Sequence, residues 1–397
     1  MIGNVVLLAV SALTAYFVFR PRVLRSRSWR ATVTPLASII GSGFLVAGPI
    51  LADAYGQRAW IAMLALCGTG YLYGAAMRHN IQFVEPDIGQ LPPVAATIER
   101  ASRIMLSLAY FVSVAYYLNL FAAFGLRGFG VENEMMTRIV ASVTIGIAGA
   151  VGLVGGLKWL ERVEIVAVGL KLSVIAGVIA ALAAYAAMSH DVWESVERAH
   201  GFEQVQVLLG LVILVQGFET SRYLGGEYSS KTRIRTMRHA QLLSTGIYVV
   251  FVFLVTHLAH TELPDTGGET EIIDMLRPIG AAAAPLLILA ALASQSSAAV
   301  ADMNGASGLL AETSRQRLSL NAGNLATALV AIVVTWSGNI YEIITYASKA
   351  FVGYYALQSL QAALSAFRRG RILEASLFAV GVLLAIAVVV LGKPAAA

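Results

Sequence analysis

The chain has 397 residues, of which 58% are hydrophobic and only 13% charged, against roughly 25% charged in soluble domains. A water-soluble core has no use for that much apolar surface, whereas a lipid-spanning helix needs about 20 mostly apolar residues. The formal net charge of +5 does not point to nucleic acid, because the basic residues fall in short stretches between apolar runs. The single cysteine, Cys67, lies inside such a run and excludes a disulfide framework or a thiol metal cluster.

In chain order, twelve apolar segments are read at about 2–19, 32–52, 59–77, 104–125, 138–157, 163–187, 204–223, 240–260, 278–300, 320–337, 341–366 and 372–392. The first lacks a basic leader and is followed by Arg20, Arg22, Arg25, Arg27 and Arg30. That is the reverse of a cleaved signal peptide, so it reads as a retained span whose N-terminus lies outside. Alternating the loops from there puts 20 basic residues inside and 6 outside, with Lys171 and Lys349 within spans. Both termini are therefore expected outside a cell (inner) membrane crossed many times. Residues 86–103 read as a proline-rich start to an amphipathic helix. The outer loops 189–203 and 261–277 are acidic with short helical patterns at 193–199 and 271–276.

Two segments carry interruptions. Gly41-Ser42-Gly43 stands at the centre of the second, with Gly48-Pro49 beyond it. Backbone amides and carbonyls freed there need partners, because lipid supplies none. A solute or ion can provide them, and so can close packing through small residues. In the seventh segment, Gln216-Gly217-Phe218-Glu219 places a glycine beside an intramembrane carboxylate, a costly residue that normally faces a polar interior. Arg222 and Glu227 leave open that Glu219 belongs to the segment end. Interrupted helices five spans apart point to an inverted-repeat carrier. The repeats are read as 31–188 and 189–367, flanked by extra spans in 1–30 and 368–397. The odd number of spans in each half inverts the second, as the charge bias requires.

Ile40-Gly41-Ser42-Gly43-Phe44 resembles the glycine-rich break in the first core helix of the amino acid–polyamine–organocation (APC) superfamily. Gly217-Phe218-Glu219, with Glu227 and Arg238-His239-Ala240 after it, is similar to that family's sixth core helix. Gly156-Leu157-Lys158-Trp159-Leu160-Glu161 with Lys171-Leu172 is similar to its turn between core helices four and five. The prolines that the family commonly has after the sixth core helix are absent from Ser229 to Arg238, and 82–93 lacks the usual glycine pair. The resemblance covers about 32–366. It implies an all-α polytopic membrane protein with a LeuT-type 5+5 inverted repeat. It also implies secondary transport of a small organic solute, amino acid or amine-like.

The candidate substrate-binding residues are Gly41, Ser42, Gly43, Tyr116, Tyr117, Gln216, Gly217, Phe218 and Glu219, with Asn119 on the same segment as the tyrosines. Lys171 sits about nine residues into its span, where the cost of burying an ammonium makes a lysine a usable proton carrier. In some proton-coupled relatives a lysine on core helix five takes the place of sodium, and the resemblance implies that role for Lys171. Its alternative is a bundle-holding ion pair or carbonyl contact. The competing coupling ion is Na+, for which Ser294, Ser296 and Ser297 offer hydroxyls and the Gly41 region carbonyls. Because Lys171 would repel sodium placed beside it, H+ is the expected coupling ion. Lys349, beside Tyr346, is a candidate gating residue that Glu342 or Glu219 could offset. The His257/His260 pair lacks supporting ligands, so no metal site is read. No cofactor is expected. There is no nucleophile motif of an enzyme and no repeated pore loop of a channel. A membrane sensor or assembly subunit of the same fold is the non-transport alternative.

Overall fold

The computed structural model describes residues 2–41, 43–154, 161–188, 201–258, 268–314 and 317–395, among which no strand occurs. Helices α1 (Ile2–Val18), α2 (Pro21–Leu24), α3 (Arg27–Ile39) and α4 (Gly43–Tyr55) lead to α5 (Ala59–Phe83), α6 (Pro93–Arg127), α7 (Glu134–Val154) and α8 (Glu161–Met188). The second half holds α9 (Phe202–Gly210), α10 (Thr220–Tyr223), α11 (Ser230–Leu258), α12 (Ile272–Met275) and α13 (Ala283–Thr313). It ends with α14 (Leu320–Thr335), α15 (Ile340–Arg368) and α16 (Ile372–Leu391). Seven helical stretches among the described residues are long and apolar enough to cross a membrane, and Ile2–Val18 and Leu320–Thr335 are shorter apolar helices.

Local sequence sets several ends. Ser26 caps α3 by accepting the Trp29 N–H, and Ser319 caps α14 through the Ala322 N–H. Asn339 and Glu342 form a reciprocal capping box at the start of α15. Pro93 opens α6, where a missing N–H costs nothing. The amphipathic stretch before residue 103 is not a separate helix, because α6 runs unbroken through it. α13 likewise continues past residue 300. The polar residues at these ends (Glu99 and Ser102 on α6, Asp302 and Ser307 on α13) are buried and paired inside the protein, which a hydropathy pattern does not register.

The bundle is built around α6, α13 and α15, with α11 against α3 and α5, and α7 against α14. α1 lies along α8, where Gly169 and Gly177 admit Phe19 and Ser11 at close range. α16 lies on α15, with Leu383 and Val390 exposed on its outer face, as a lipid-facing helix requires. Arg103, Arg222, Arg233 and Arg369 meet Glu312, Glu99, Glu85 and Phe83 at one end of the bundle, called here the basic end; Asp274 in the stretch 268–277 meets Arg127 at the other end of α6.

Two stretches interrupt this helical frame. α3 stops at Ile39 and the chain resumes as α4 at Gly43. α9 stops at Gly210, passes through a 3-10 turn at Val212–Val215, and becomes extended at Gln216. It then turns at Gly217 with φ +113°, a conformation that L residues avoid. The interruptions pack on each other. A Cβ on Gly43 would lie 2.6 Å from the Leu214 carbonyl oxygen, and one on Gly217 would lie 2.6 Å from the Ser38 carbonyl carbon.

Gly217→Ala is expected to destabilise the protein by on the order of 2 kcal/mol or more, from backbone strain plus overlap with Ser38. Gly226, which has open space around it, is the control position. Thermal unfolding in detergent checks this: equal midpoints for Gly217→Ala and Gly226→Ala would contradict the close crossing.

Candidate functional site

Inside a bilayer the freed backbone groups of both interruptions must find protein partners, and beside local turn bonds such as Gly41 N–H to the Ser38 carbonyl, several partners are specific side chains. The Ser294 hydroxyl on α13 donates to the Gly41 carbonyl at 2.6 Å. The Lys171 ammonium on α8 donates to the Ala37 carbonyl at 2.9 Å and to Ser294 Oγ at 3.2 Å. Tyr248 on α11 places its hydroxyl 2.9 Å from the Ile39 carbonyl and 2.8 Å from the Leu214 carbonyl, so one O–H serves both interruptions in turn. Ser348 on α15 accepts the Ile213 N–H at 3.0 Å. Glu219 accepts the Gly217 N–H at 2.9 Å.

Lys171 is 5% exposed and adjoins a small cavity of about 20 Å³, which Thr34, Ser38, Thr220 and Ser297 also line. That is room for about one water. A larger cavity of about 540 Å³ opens beside it toward the basic end, lined by Arg30, Tyr110, Thr220, Tyr223, Ser296 and Asn304 among others. Near the opposite end is a cavity of about 280 Å³, lined by Asn119, Thr137, Arg138, Glu269, Asn339 and Tyr341 among others. Burial pushes the Glu269 carboxyl above the usual carboxylate range, and the Glu134 charge adds to the effect.

Most of the expected residues are brought together, but not all. Tyr116, Tyr117, Gln216, Phe218 and Glu219 are all buried. Gln216 Nε2 donates to the Tyr117 hydroxyl at 2.9 Å, while its Oε1 makes no hydrogen bond among the described residues. Phe218 stacks on Tyr355, which stacks in turn on Tyr73, with ring centroids 5.0 and 5.1 Å apart. Glu219 is fully buried and accepts from the Tyr355 hydroxyl at 2.8 Å, which excludes its reading as a solvated segment end. Asn119 holds Thr335 at 2.9 Å, a helix-to-helix tie, while also lining the 280 Å³ cavity.

Ser296 donates to the carbonyls of its own helix at Leu292 and Ala293, Ser297 lines the small cavity beside Lys171, and Ser294 hydrogen-bonds the first interruption directly. Lys349 is half-buried rather than deep, and Tyr346 beside it is exposed. Glu342 is engaged by the Asn339 N–H in its capping box and Glu219 by Tyr355, and among the described residues neither forms an ion pair with Lys349. Ser42, the 155–160 turn, His260 and the 189–200 loop lie outside the described residues, as does the side chain of His257.

Three groups escaped the sequence reading. Asp302 is buried on α13 and accepts from the Ser113 hydroxyl of α6. Gln295, next to Ser294, is fully buried with a carboxamide that makes no hydrogen bond among the described residues. Toward the basic end, Arg222 holds Glu99 through both carboxylate oxygens at 2.9 and 3.0 Å and donates to Gln358 at 2.6 Å. Gln358 passes the link to Ser102 at 2.8 Å, and Arg233 donates to the Arg222 carbonyl at 2.9 Å. This network ties α6, α10, α11 and α15, although Arg222 reads as a loop residue by sequence. Among the described residues, no three His, Cys, Asp or Glu side chains gather as a metal site.

A family model described as APC superfamily transporter matches residues 21–392. The chain belongs to the APC superfamily of transporters. A relative in Aquifex aeolicus (strain VF5), named only as an uncharacterized protein, is 39% identical over 382 residues, 95% of this chain and 94% of that one. Among solved structures, this APC transporter is similar in fold to Mhp1, a nucleobase-cation-symport-1 family transporter in a closed conformation with bromovinylhydantoin bound. The TM-score is 0.56 at 10% identity, covering 91% of each chain. It is also similar to a Na+-coupled sialic acid symporter in a substrate-bound outward-open state, with TM-score 0.52 at 16% identity, covering 100% of this chain and 99% of that one. Both likenesses are of the LeuT-type fold.

Tyr248→Phe is expected to leave the Ile39 and Leu214 carbonyls short of a donor while keeping the ring against Phe44. The expected loss is about 1–3 kcal/mol of stability, read as a lowered thermal unfolding midpoint in detergent. An unchanged midpoint would show that the hydroxyl does not serve the crossing.

Proposed function

We propose that this APC transporter moves a small organic solute, amino acid or amine-like, by alternating access, with H+ as the coupling ion carried by Lys171. The two repeats are read as 31–188 and 189–367, with both termini outside a cell membrane. The observation that carries the reading is the setting of Lys171, whose ammonium joins the Ala37 carbonyl to Ser294, itself bound to the Gly41 carbonyl. Carbonyl and hydroxyl oxygens at an unwound helix end are what a small cation uses. Here the cation is supplied by the chain.

The consequence for mechanism follows from hydrogen-bond chemistry. A protonated Lys171 has three N–H donors and no acceptor, so it pins the end of α3 to α8 and α13. A neutral amine holds those oxygens more weakly, because charge-assisted hydrogen bonds are about twice as strong as neutral ones. Loss of the proton therefore loosens α3, a helix that also lines the 540 Å³ cavity through Arg30 and Thr34. The solute is expected at the crossing, against Gly41, Gly43, Tyr116, Tyr117, Gln216, Gly217, Phe218 and Glu219. The free Gln216 Oε1 and Glu219 Oε1 there are hydrogen-bond acceptors, which suits a solute carrying N–H groups. Sodium coupling is the competing reading, and it requires Lys171 to vacate the oxygens that it occupies.

Purified protein in sodium-free liposomes, offered a pool of amino acids and amines, is expected to accumulate solute when an inward proton gradient is imposed. Lys171→Ala is expected to abolish the gradient-driven part. Uptake that depends strictly on sodium at constant pH would sink the proton reading.

A further inference from the structure

The stretch that joins α1 to α3 carries positive charge with no answering negative charge along it. Arg20, Arg22, Arg25, Arg27 and Arg30 are all exposed, and no Asp or Glu precedes Asp53 in the chain. Elsewhere at the basic end arginines are held by carboxylates, Arg103 by Glu312, Arg222 by Glu99 and Arg233 by Glu85. Among the described residues none of the five forms an ion pair, and Arg27 reaches the Glu227 backbone carbonyl at 3.4 Å. The backbone keeps them close together. α2 packs on both α1 and α3, the Val23 and Leu24 N–H groups bond back to the Arg20 carbonyl, and Ser26 caps α3. Val23, Leu24 and Trp29 are half-buried, with Trp29 against the core, which leaves the arginines on the outer side.

The surface beside these arginines is apolar. The Arg20 guanidinium lies over the Tyr16 and Phe17 rings, 4.6 and 4.5 Å from their centroids, and both rings are exposed on α1 together with Leu13. On a helix in lipid, exposed aromatic rings of this kind mark the level where hydrocarbon meets headgroups. A guanidinium stacked on them therefore sits at headgroup depth. All five basic residues are arginine, whose planar fork takes phosphate oxygens in pairs, where lysine offers a point charge. A phosphate ester with an apolar body fits both halves of this surface. A soluble anion uses only one.

We propose that α2 and the first turn of α3 bind the headgroups of anionic phospholipids, and that the bound lipid anchors the near end of α3. Both ends of α3 are then held by charge, with phosphates at Arg27 and Arg30 and with Lys171 at the Ala37 carbonyl. Arg30 and Thr34 also line the 540 Å³ cavity, so a lipid drawn off α3 releases one wall of that cavity. The surface and its ligand do not depend on which solute or ion the protein carries.

Native mass spectrometry of the full-length protein, with phosphatidylglycerol or phosphatidylcholine added in detergent, reads lipid retention directly. The wild type is expected to retain phosphatidylglycerol in preference. Arg22→Gln, Arg25→Gln and Arg27→Gln combined are expected to weaken that retention about tenfold or more. Arg235→Gln, Arg238→Gln and Arg368→Gln combined remove the same charge from other exposed positions of the basic end and are expected to change it little. Amide hydrogen exchange over Arg27–Ile39 is expected to slow in vesicles that contain phosphatidylglycerol, in the wild type but not in the first variant. Equal retention by the wild type and the first variant, or an equal loss in the second, would overturn the site. Displacement of the lipid by inorganic phosphate would overturn it too, by assigning the surface to a soluble anion. Exchange that ignores the lipid would overturn the anchoring of α3.

Discussion

An unwound stretch of helix deep in a bilayer leaves N–H and C=O groups that water cannot reach, and each orphan costs several kcal/mol. Everything at the centre of this protein follows from how those groups are answered. The interruptions after Ile39 and Gly210 lie against each other, with Gly43 on Leu214 and Gly217 on Ser38. Residues with a Cβ at either glycine would force them apart. Four helices then send one side chain each to the crossing, Lys171 from α8, Ser294 from α13, Tyr248 from α11 and Ser348 from α15, and the second interruption itself adds Glu219.

That arrangement makes the broken helices both fixed and releasable. A backbone carbonyl bonded to its own helix is lost only by unfolding, whereas one bonded to a lysine or serine on another helix is freed by a change in that one side chain. α3 depends on Lys171 and Ser294, and α10 is tied through Arg222 to Glu99 and Gln358. Ionisable side chains, Lys171 and Arg222, therefore hold these two pieces to the frame.

Much of the frame was legible in the residues, because apolar runs of about 20 residues have few other uses and the Gly41 and Gly217 signatures mark breaks that lipid does not tolerate unaided. Lys171 was legible for the same reason, as a charge in the middle of a span. Asp302 was not. It follows the apolar run read as ending at about residue 300, whereas the helix continues to Thr313 with Asp302 buried against Ser113. Arg222 escaped for a similar reason, since its partner Glu99 is more than a hundred residues away and reads as part of a loop. Lys349 and Ser296 were misplaced because segment position says how deep a residue lies but not which face of the helix carries it. Partner identity across helices is a property of rotation and register, which hydropathy does not encode.

Alternating access about the crossing requires the cavities at the two ends to open in opposition. Spin labels at Arg30 and Asn304 span the 540 Å³ cavity, and labels at Thr137 and Tyr341 span the 280 Å³ cavity. Pulsed electron paramagnetic resonance on the two pairs, in lipid and in a Cys67→Ala background, measures both separations. Acidification with the solute pool present is expected to shorten one separation while it lengthens the other. Two separations that stay constant, or that change together, would contradict a carrier built on crossed helix breaks.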